Sequence, residues 1–310
     1  MSRRVLITGA SGFIGRRLAG ALAKEGWQVR AASRDPSCLL AASGIERVAM
    51  PDLARPADWS ALLGGVTHVV HLAGIAHAPG SLPDSLYDRI NADAVGELAQ
   101  AARGKVERFV LISSVRAQAG LSADHAINEA DAALPTDAYG RSKLHAERLV
   151  AESGVAFTVL RPAVVYGSGV KGNIASLATL AKTPMPLPFA GLDNRRSLLA
   201  LDNLVSAISR VLVSERAANE TFLAADAEPI SVADLVTAMR EGLGRSPHLV
   251  KVPLGAVKRL MKSFGREAEW ERISGDFVID ASKLMNIGWR PAIATHDGIV
   301  SMMRAKTGAI

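Results

Sequence analysis

The chain has 310 residues, enough for about two domains at roughly 150 residues each, and is 49% hydrophobic and 21% charged. That composition excludes a disordered chain, and no stretch approaches the roughly 18 uninterrupted apolar residues of a membrane-spanning helix. A net charge of +6 favours an anionic partner, phosphorylated metabolite or nucleic acid, without choosing between them.

No signal peptide is read at the start, since Val5-Leu6-Ile7 is cut short by Thr8-Gly9, and the single Cys38 cannot form an internal disulfide. A reducing cytoplasm is the expected compartment. Residues 4–8 read as a buried strand, after which Phe13, Ile14, Leu18 and Leu22 recur at helical spacing until Gly26 stops the helix. Further strands are expected at 28–32, 67–72, 109–112, 157–160 and 197–201. Strands alternating with helical patterns predict βα units around a parallel sheet. Between about Gly167 and Arg195 the alternating Pro184, Pro186 and Pro188 break this rhythm, and the segment is expected to build something over the sheet. Beyond about Ala227, helical patterns interrupted at Pro229, Pro247 and Pro253 predict a smaller second domain.

Thr8-Gly9-Ala10-Ser11-Gly12-Phe13-Ile14-Gly15 follows the first strand and opens the first helix, the context in which a glycine-rich turn holds a dinucleotide. Side chains at the glycines would keep the backbone from a pyrophosphate, which the freed amides and the helix dipole attract. Where the second strand ends, an acidic residue would accept hydrogen bonds from the ribose hydroxyls of NAD. Ser33-Arg34 stands there instead. A guanidinium can make a forked contact with a 2′-phosphate, so the pattern favours NADP(H) and leaves NAD(H) open. The bland alternative for Arg34 is a side chain stacked on adenine or solvated.

Pro135-Thr136-Asp137 reads as a helix start, with Leu144 and Leu149 on the buried face and Tyr139 and Lys143 four apart on one face. A cation beside a phenol lowers its pKa from about 10, which brings acid/base work within reach at neutral pH. Ser113-Ser114 closes a strand at its carboxyl end, where open α/β sheets place their ligands.

The Gly9, Gly12, Gly15 spacing together with Ser114, Tyr139 and Lys143 resembles the extended short-chain dehydrogenase/reductases, the group of nucleotide-sugar epimerases, dehydratases and reductases. The resemblance continues through His71-Leu72-Ala73-Gly74, Ile90-Asn91-Ala92-Asp93 and Leu160-Arg161-Pro162-Ala163-Val164-Val165-Tyr166-Gly167, and covers nearly the whole chain. It implies an α/β fold, a Rossmann-type doubly wound parallel sheet with a smaller C-terminal substrate-binding domain. Residues 1–168 and 197–226 would form the dinucleotide-binding domain, and 169–196 with 227–310 the substrate-binding domain. It also implies Ser114, Tyr139 and Lys143 as catalytic residues, the serine orienting the substrate oxygen that exchanges a proton with the tyrosine. The cofactor set it implies is Gly9, Ser11, Gly12, Phe13, Ile14, Gly15, Ser33, Arg34, Asp52, Leu53, Leu72, Ala73, Gly74, Asn91, Ser113, Tyr139, Lys143, Pro162 and Val164, with no metal.

The run from Arg195 to Leu204 is similar to the epimerase segment whose arginine contacts the nucleotide diphosphate. Alignment on Asn203-Leu204 selects Arg196, and alignment on Asp202 selects Arg195. Asn173 and Arg272 complete the implied substrate-binding set with Ser114, while Gly288 and Pro291 are expected to fix turns. Sugar 4,6-dehydratases resemble Thr-Asp-Glu where this chain has Ser114-Val115-Arg116, so dehydration is disfavoured. The chain looks closest to enzymes of bacterial surface-polysaccharide synthesis that reduce a UDP-4-keto-6-deoxy sugar. A UDP-sugar 4-epimerase with tightly bound NAD is the alternative, and a non-catalytic dinucleotide sensor would have no use for Ser114, Tyr139 and Lys143 together. The expected partner is a nucleotide sugar, not a nucleic acid, without integral membrane contact, and a homodimer through the Tyr139 helix is left open. Lys251, Lys258, Arg259, Lys262 and Arg266 lie around Leu254, Val257, Leu260, Met261 and Phe264, a basic stretch open to a nucleic-acid or membrane-surface role, but the interleaved Glu267, Glu269 and Glu271 make a solvated helix face the expectation.

Overall fold

In the first strands successive side chains point to opposite faces of a sheet. Val5 and Ile7 share one core with Val70, Val110 and Ile112, and Leu6 shares another with Val69, Phe109 and Leu111. Both faces are apolar, so both must be covered by helices. The computed structural model describes residues 3–76, 82–265 and 267–305. Seven parallel strands form one sheet: β1 (Arg4–Thr8), β2 (Gln28–Ser33), β3 (Ile45–Ala49), β4 (His68–His71), β5 (Arg108–Ile112), β6 (Phe157–Pro162) and β7 (Glu220–Ala224). Their spatial order is β3-β2-β1-β4-β5-β6-β7. The order reverses between β1 and β4, where a doubly wound sheet opens a crevice at its carboxyl edge.

Among the described residues the helices of nine residues or more are α1 (Phe13–Lys24), α2 (Ala94–Ala102), α3 (Ala138–Glu152), α4 (Gly172–Ala181), α5 (Leu201–Val213), α6 (Val232–Gly242), α7 (Leu254–Ser263) and α8 (Thr295–Ala305). Leu18 and Leu22 of α1 with Leu204 and Ile208 of α5 cover one face, and Val95 and Leu98 of α2 with Ala146 and Val150 of α3 cover the other. Each such fully buried Leu, Ile or Val contributes roughly 1.5–3 kcal/mol. A third core joins Tyr166, Ile174, Leu198, Leu235, Met239, Ile299 and Met303 around the carboxyl edge of the fold. No described helix is long and apolar enough to cross a membrane.

Several expectations change. The strand at 197–201 shrinks to Leu198–Ala200, pairs with Val164–Tyr166 outside the main sheet, and gives way to α5 at Leu201. β3 and β7 escape the sequence reading because both are edge strands, where Glu46, Arg47, Glu220 and Thr221 interrupt any apolar run. Leu144 and Leu149 are half-buried, whereas α3 buries Gly140, Ser142, Lys143, Ala146, Glu147 and Val150. This helix turns polar side chains inward, and those side chains make the site.

Candidate active site

Thr8 closes β1. Its Oγ1 accepts hydrogen bonds from Leu72 N (3.2 Å) and Ala73 N (3.3 Å) and pairs with His71 Nδ1 at 3.0 Å, so it staples the end of β1 to the end of β4. Gly9, at φ +66°, passes so close to the same segment that a Cβ would stand 2.8 Å from Ala73 N, and one on Gly15 would stand 2.4 Å from the Gly9 carbonyl oxygen. Neither position tolerates a side chain. Gly12 caps α1 without a side-chain bond, leaving the amides of Phe13 and Ile14 without helical partners. A Cβ on exposed Gly12 would face only the Gly9 carbonyl. An open, uncapped helix start of this kind seats an anion, and the loop fits the pyrophosphate of a dinucleotide.

At the end of β2, buried Ser33 donates to Ser11 Oγ at 2.8 Å. Arg34 is exposed and makes no hydrogen bond or ion pair with the described residues. The neighbouring carboxylate is occupied: Asp35 accepts from Ser37 N (2.9 Å), Ser37 Oγ (2.6 Å) and Cys38 Sγ (3.1 Å). Beyond β3, exposed Asp52 accepts from Ala54 N at 3.1 Å and Leu53 is buried.

Asn91 sits in a π turn, Arg89–Asp93, which interrupts the helical run leading into α2 and turns its amide inward. Oδ1 accepts from Ile75 N (2.8 Å), and Nδ2 donates to Ile75 O (2.9 Å) and Ser142 Oγ (3.1 Å). In this structure the amide holds the chain after Gly74 against α3. The Ser113 hydroxyl donates to Glu147, so its oxygen and the neighbouring backbone groups are what it offers a ligand.

Ser114 Oγ accepts from Arg116 N at 3.1 Å. Tyr139 stands in the first turn of α3, which Asp137 caps by accepting from Gly140 N at 2.7 Å. Arg116 grips that cap: it donates to Asp137 Oδ2 (2.8 Å), Thr136 Oγ1 (3.3 Å) and the Gly120 carbonyl. The element carrying Ser114 and the helix carrying Tyr139 are thereby tied together. Burial pushes the Tyr139 phenol up to about 12, partly offset by the Ser114 hydroxyl beside it. Lys143 donates from buried Nζ to Ile112 O at 3.1 Å, and burial pulls it down to about 8 against the pull of Glu147. The expected lowering of the phenol by Lys143 does not occur, because burial dominates at Tyr139 and the ammonium is turned toward Ile112. His71, held down to about 3 by burial and by Lys143, stays neutral.

Beneath these groups Arg161 of β6 binds Glu147 through Nη2 (2.6 Å) and Nε (3.0 Å) and donates to Gln118 Oε1 at 2.8 Å. Glu147 and Arg161 are both buried. The signal for this pair is legible afterwards: Glu147 lies one helical turn beyond Lys143, and Arg161 is a charge inside an apolar strand. Thr8 and Arg116 carried no comparable signal. Pro162 is buried at the end of β6, and Val164 is exposed beyond it.

Arg195 and Arg196 diverge. Arg196 lies 5.3 Å over the Phe277 ring and donates to Gly275 O (2.7 Å) and Leu121 O (3.1 Å). Burial first, then Arg116 and Arg272, pull it down to about 10, so three guanidiniums share one field. Arg195 is exposed, donates to Pro229 O at 2.9 Å, and lines a cleft with Gly191, Asp193, Asn194 and Asp276. Arg272 is exposed on Glu267–Ser274, and Asn173 is exposed in the first turn of α4.

The NAD dependent epimerase/dehydratase family matches residues 5–225. The chain belongs to that family. It is 31% identical to the UDP-glucose 4-epimerase of Vibrio cholerae over 98% of this chain and 96% of that protein. It is also 31% identical to the 3-diazoavenalumate denitrifying reductase of a Streptomyces species over 84% of this chain and 88% of that one. The fold is shared with MoeE5 in complex with UDP-glucuronic acid and NAD, at a TM-score of 0.78 and 24% identity, covering 99% of this chain and 100% of the other. As an epimerase/dehydratase-family enzyme the chain is dinucleotide-dependent, and the cradle from Gly9 to Gly15 fits that requirement.

Proposed function

We propose that this enzyme reduces a UDP-linked 4-keto-6-deoxy sugar at C4 with NADPH, a step of bacterial surface-polysaccharide synthesis. The observation that carries the reading is the end of β2, where Arg34 is exposed with no partner among the described residues while Asp35 is spent on its own turn. Arg34 would read a 2′-phosphate, and a reductase needs a cofactor that arrives reduced and leaves oxidised. The bound dinucleotide supplies the hydride. Ser114 orients the keto oxygen and Tyr139 donates its proton there, a task suited to a phenol that stays protonated at neutral pH. Lys143 holds the ribose hydroxyls, and Arg196 and Arg272, with Asn173, hold the nucleotide diphosphate. Val115 and Arg116 leave no carboxylate for dehydration.

A second reading, a UDP-sugar 4-epimerase with tightly held NAD, is favoured by the near full-length similarity to the Vibrio cholerae enzyme. Release and identification of any copurified dinucleotide, followed by assays of NADPH oxidation with a UDP-4-keto-6-deoxy sugar and of UDP-glucose/UDP-galactose interconversion, separates the two. Arg34→Ala should lower the NADPH over NADH preference by about ten- to a hundredfold, and Ser33→Asp should reverse it. Copurified NAD, interconversion without added cofactor and an unchanged preference in both variants would establish the epimerase.

A further inference from the structure

Positive charge is not spread evenly along this chain. Residues 242–266 hold six Lys and Arg and no Asp or Glu, equal to the whole net charge of +6, so the rest of the sequence is balanced. Lys251, Lys258, Arg259 and Lys262 lie on α7 or just before it, while Arg266 lies outside the described residues. Glu267, Glu269 and Glu271, expected to interleave with these cations, belong to the next helix, Glu267–Ser274. Glu271 accepts from Ser122 at 2.7 Å.

The surface of α7 is divided. Leu254, Val257 and Met261, at i, i+3 and i+7, pack against Leu192, Val232 and Trp270. Lys258, Arg259 and Lys262 fall on the exposed remainder, and Lys258 and Arg259 make no hydrogen bond or ion pair with the described residues. Exposed apolar side chains border the helix at both ends. Phe264, 72% exposed, follows its last turn; Val250, 42% exposed, precedes its first. Val250 lies on Leu249–Lys251, which pairs with Leu187–Ala190, two residues beyond the 66% exposed Met185.

We infer that this face docks the enzyme on an anionic phospholipid bilayer. The cations would meet headgroup phosphates, and Phe264, Met185 and Val250 would enter the boundary between headgroups and acyl chains. A single-stranded nucleic acid would call for a row of aromatic side chains on which bases stack, and here one aromatic stands among aliphatic tips. Because the apolar stripe of α7 is half-buried against Leu192, Val232 and Trp270, attachment rests on charge and a few exposed tips, and is reversible and salt-sensitive. Leu254 also lines the cleft beside Arg195, so docking holds the substrate-facing lobe near the bilayer.

Flotation of the full chain with vesicles of phosphatidylglycerol and phosphatidylcholine, against phosphatidylcholine alone, tests the inference without reference to activity. Binding is expected to the anionic vesicles only and to be lost at about 0.5 M salt. At about fivefold per cation, combining Lys258→Ala, Arg259→Ala and Lys262→Ala should lower partitioning roughly a hundredfold, and the corresponding changes to Glu still further. Phe264→Ser should lower it severalfold with every charge in place, and unchanged thermal unfolding shows that each variant is folded. Absence of binding to the anionic vesicles, equal binding to phosphatidylcholine, or a triple Ala variant that binds like the wild type would overturn it. So would a single-stranded RNA that binds more tightly than the vesicles and displaces them.

Discussion

At the dinucleotide cradle, Gly9 and Gly15 are demanded by backbone atoms that a Cβ would approach to 2.8 and 2.4 Å, and Thr8 holds two strand ends in register. By contrast, Arg196 is held by the carbonyls of Gly275 and Leu121 and by one ring, and Arg272 stands exposed. The cradle is a contiguous strand, turn and helix whose sterics exclude side chains, closed from one side by the end of β4 at Leu72 and Ala73. The arginine arm is assembled from segments about 80 and 150 residues away from the Ser114 turn. A site built locally keeps its shape when empty, whereas one built from distant arms depends on every packing contact between them.

Tyr139 is the proposed proton donor, and removal of its hydroxyl should have the largest effect. Tyr139→Phe keeps the ring and removes the hydroxyl, so turnover should fall by about 10²–10⁴ while dinucleotide affinity, measured by fluorescence titration, stays within about twofold. A matching loss of dinucleotide affinity would mean that cradle and arm are not separable at this residue.

What could be read in advance follows the same division. The glycine spacing, the strand before it and the Tyr139-Lys143 pair are local, so β1, α1, α3 and the trio with Ser114 were legible. Asn91 was legible as a motif but its contacts were not, because the π turn that points its amide at Ile75 has no signature in the sequence. Arg195 and Arg196 could not be told apart until Phe277, Gly275 and Pro229, all distant in sequence, were in place around them. Glu147, Arg161 and Gln118 form a buried polar network of the kind that only tertiary structure reveals.

Two substitutions sharpen the contrast. Glu147→Ala leaves the buried Arg161 guanidinium unpaired beneath the cradle and should cost about 3–5 kcal/mol of stability, measured by urea denaturation. Arg196→Ala, in the half-exposed arm, should leave the denaturation midpoint nearly unchanged yet weaken binding of UDP by roughly tenfold or more, the loss of one charge-assisted contact. Arg195→Ala should do neither. Equal effects of Arg195→Ala and Arg196→Ala on UDP binding, read by calorimetry, would remove the distinction between the two side chains.

The last expected effect is a pH dependence, and its two halves have opposite signs. Lys143 is held near 8 in the folded chain by burial, below the usual 10.5 of a lysine. Below about pH 8 both folded and unfolded chains carry the proton, and the cost of burying the ammonium is borne in full. Between about 8 and 10.5 the unfolded chain binds the proton and the folded chain does not, so the ligand-free protein gains stability as pH rises through that window. Dinucleotide binding should run the other way. If ribose hydroxyls are held by the ammonium, affinity declines above about pH 8, by at most tenfold per pH unit. Lys143→Met should abolish both slopes, and Lys143→Arg, which keeps its charge throughout, should flatten them while retaining part of the affinity. Parallel denaturation and NADPH titrations from pH 6 to 10 measure both, and a wild-type affinity that holds constant across that range would show that the Lys143 ammonium does not reach the dinucleotide.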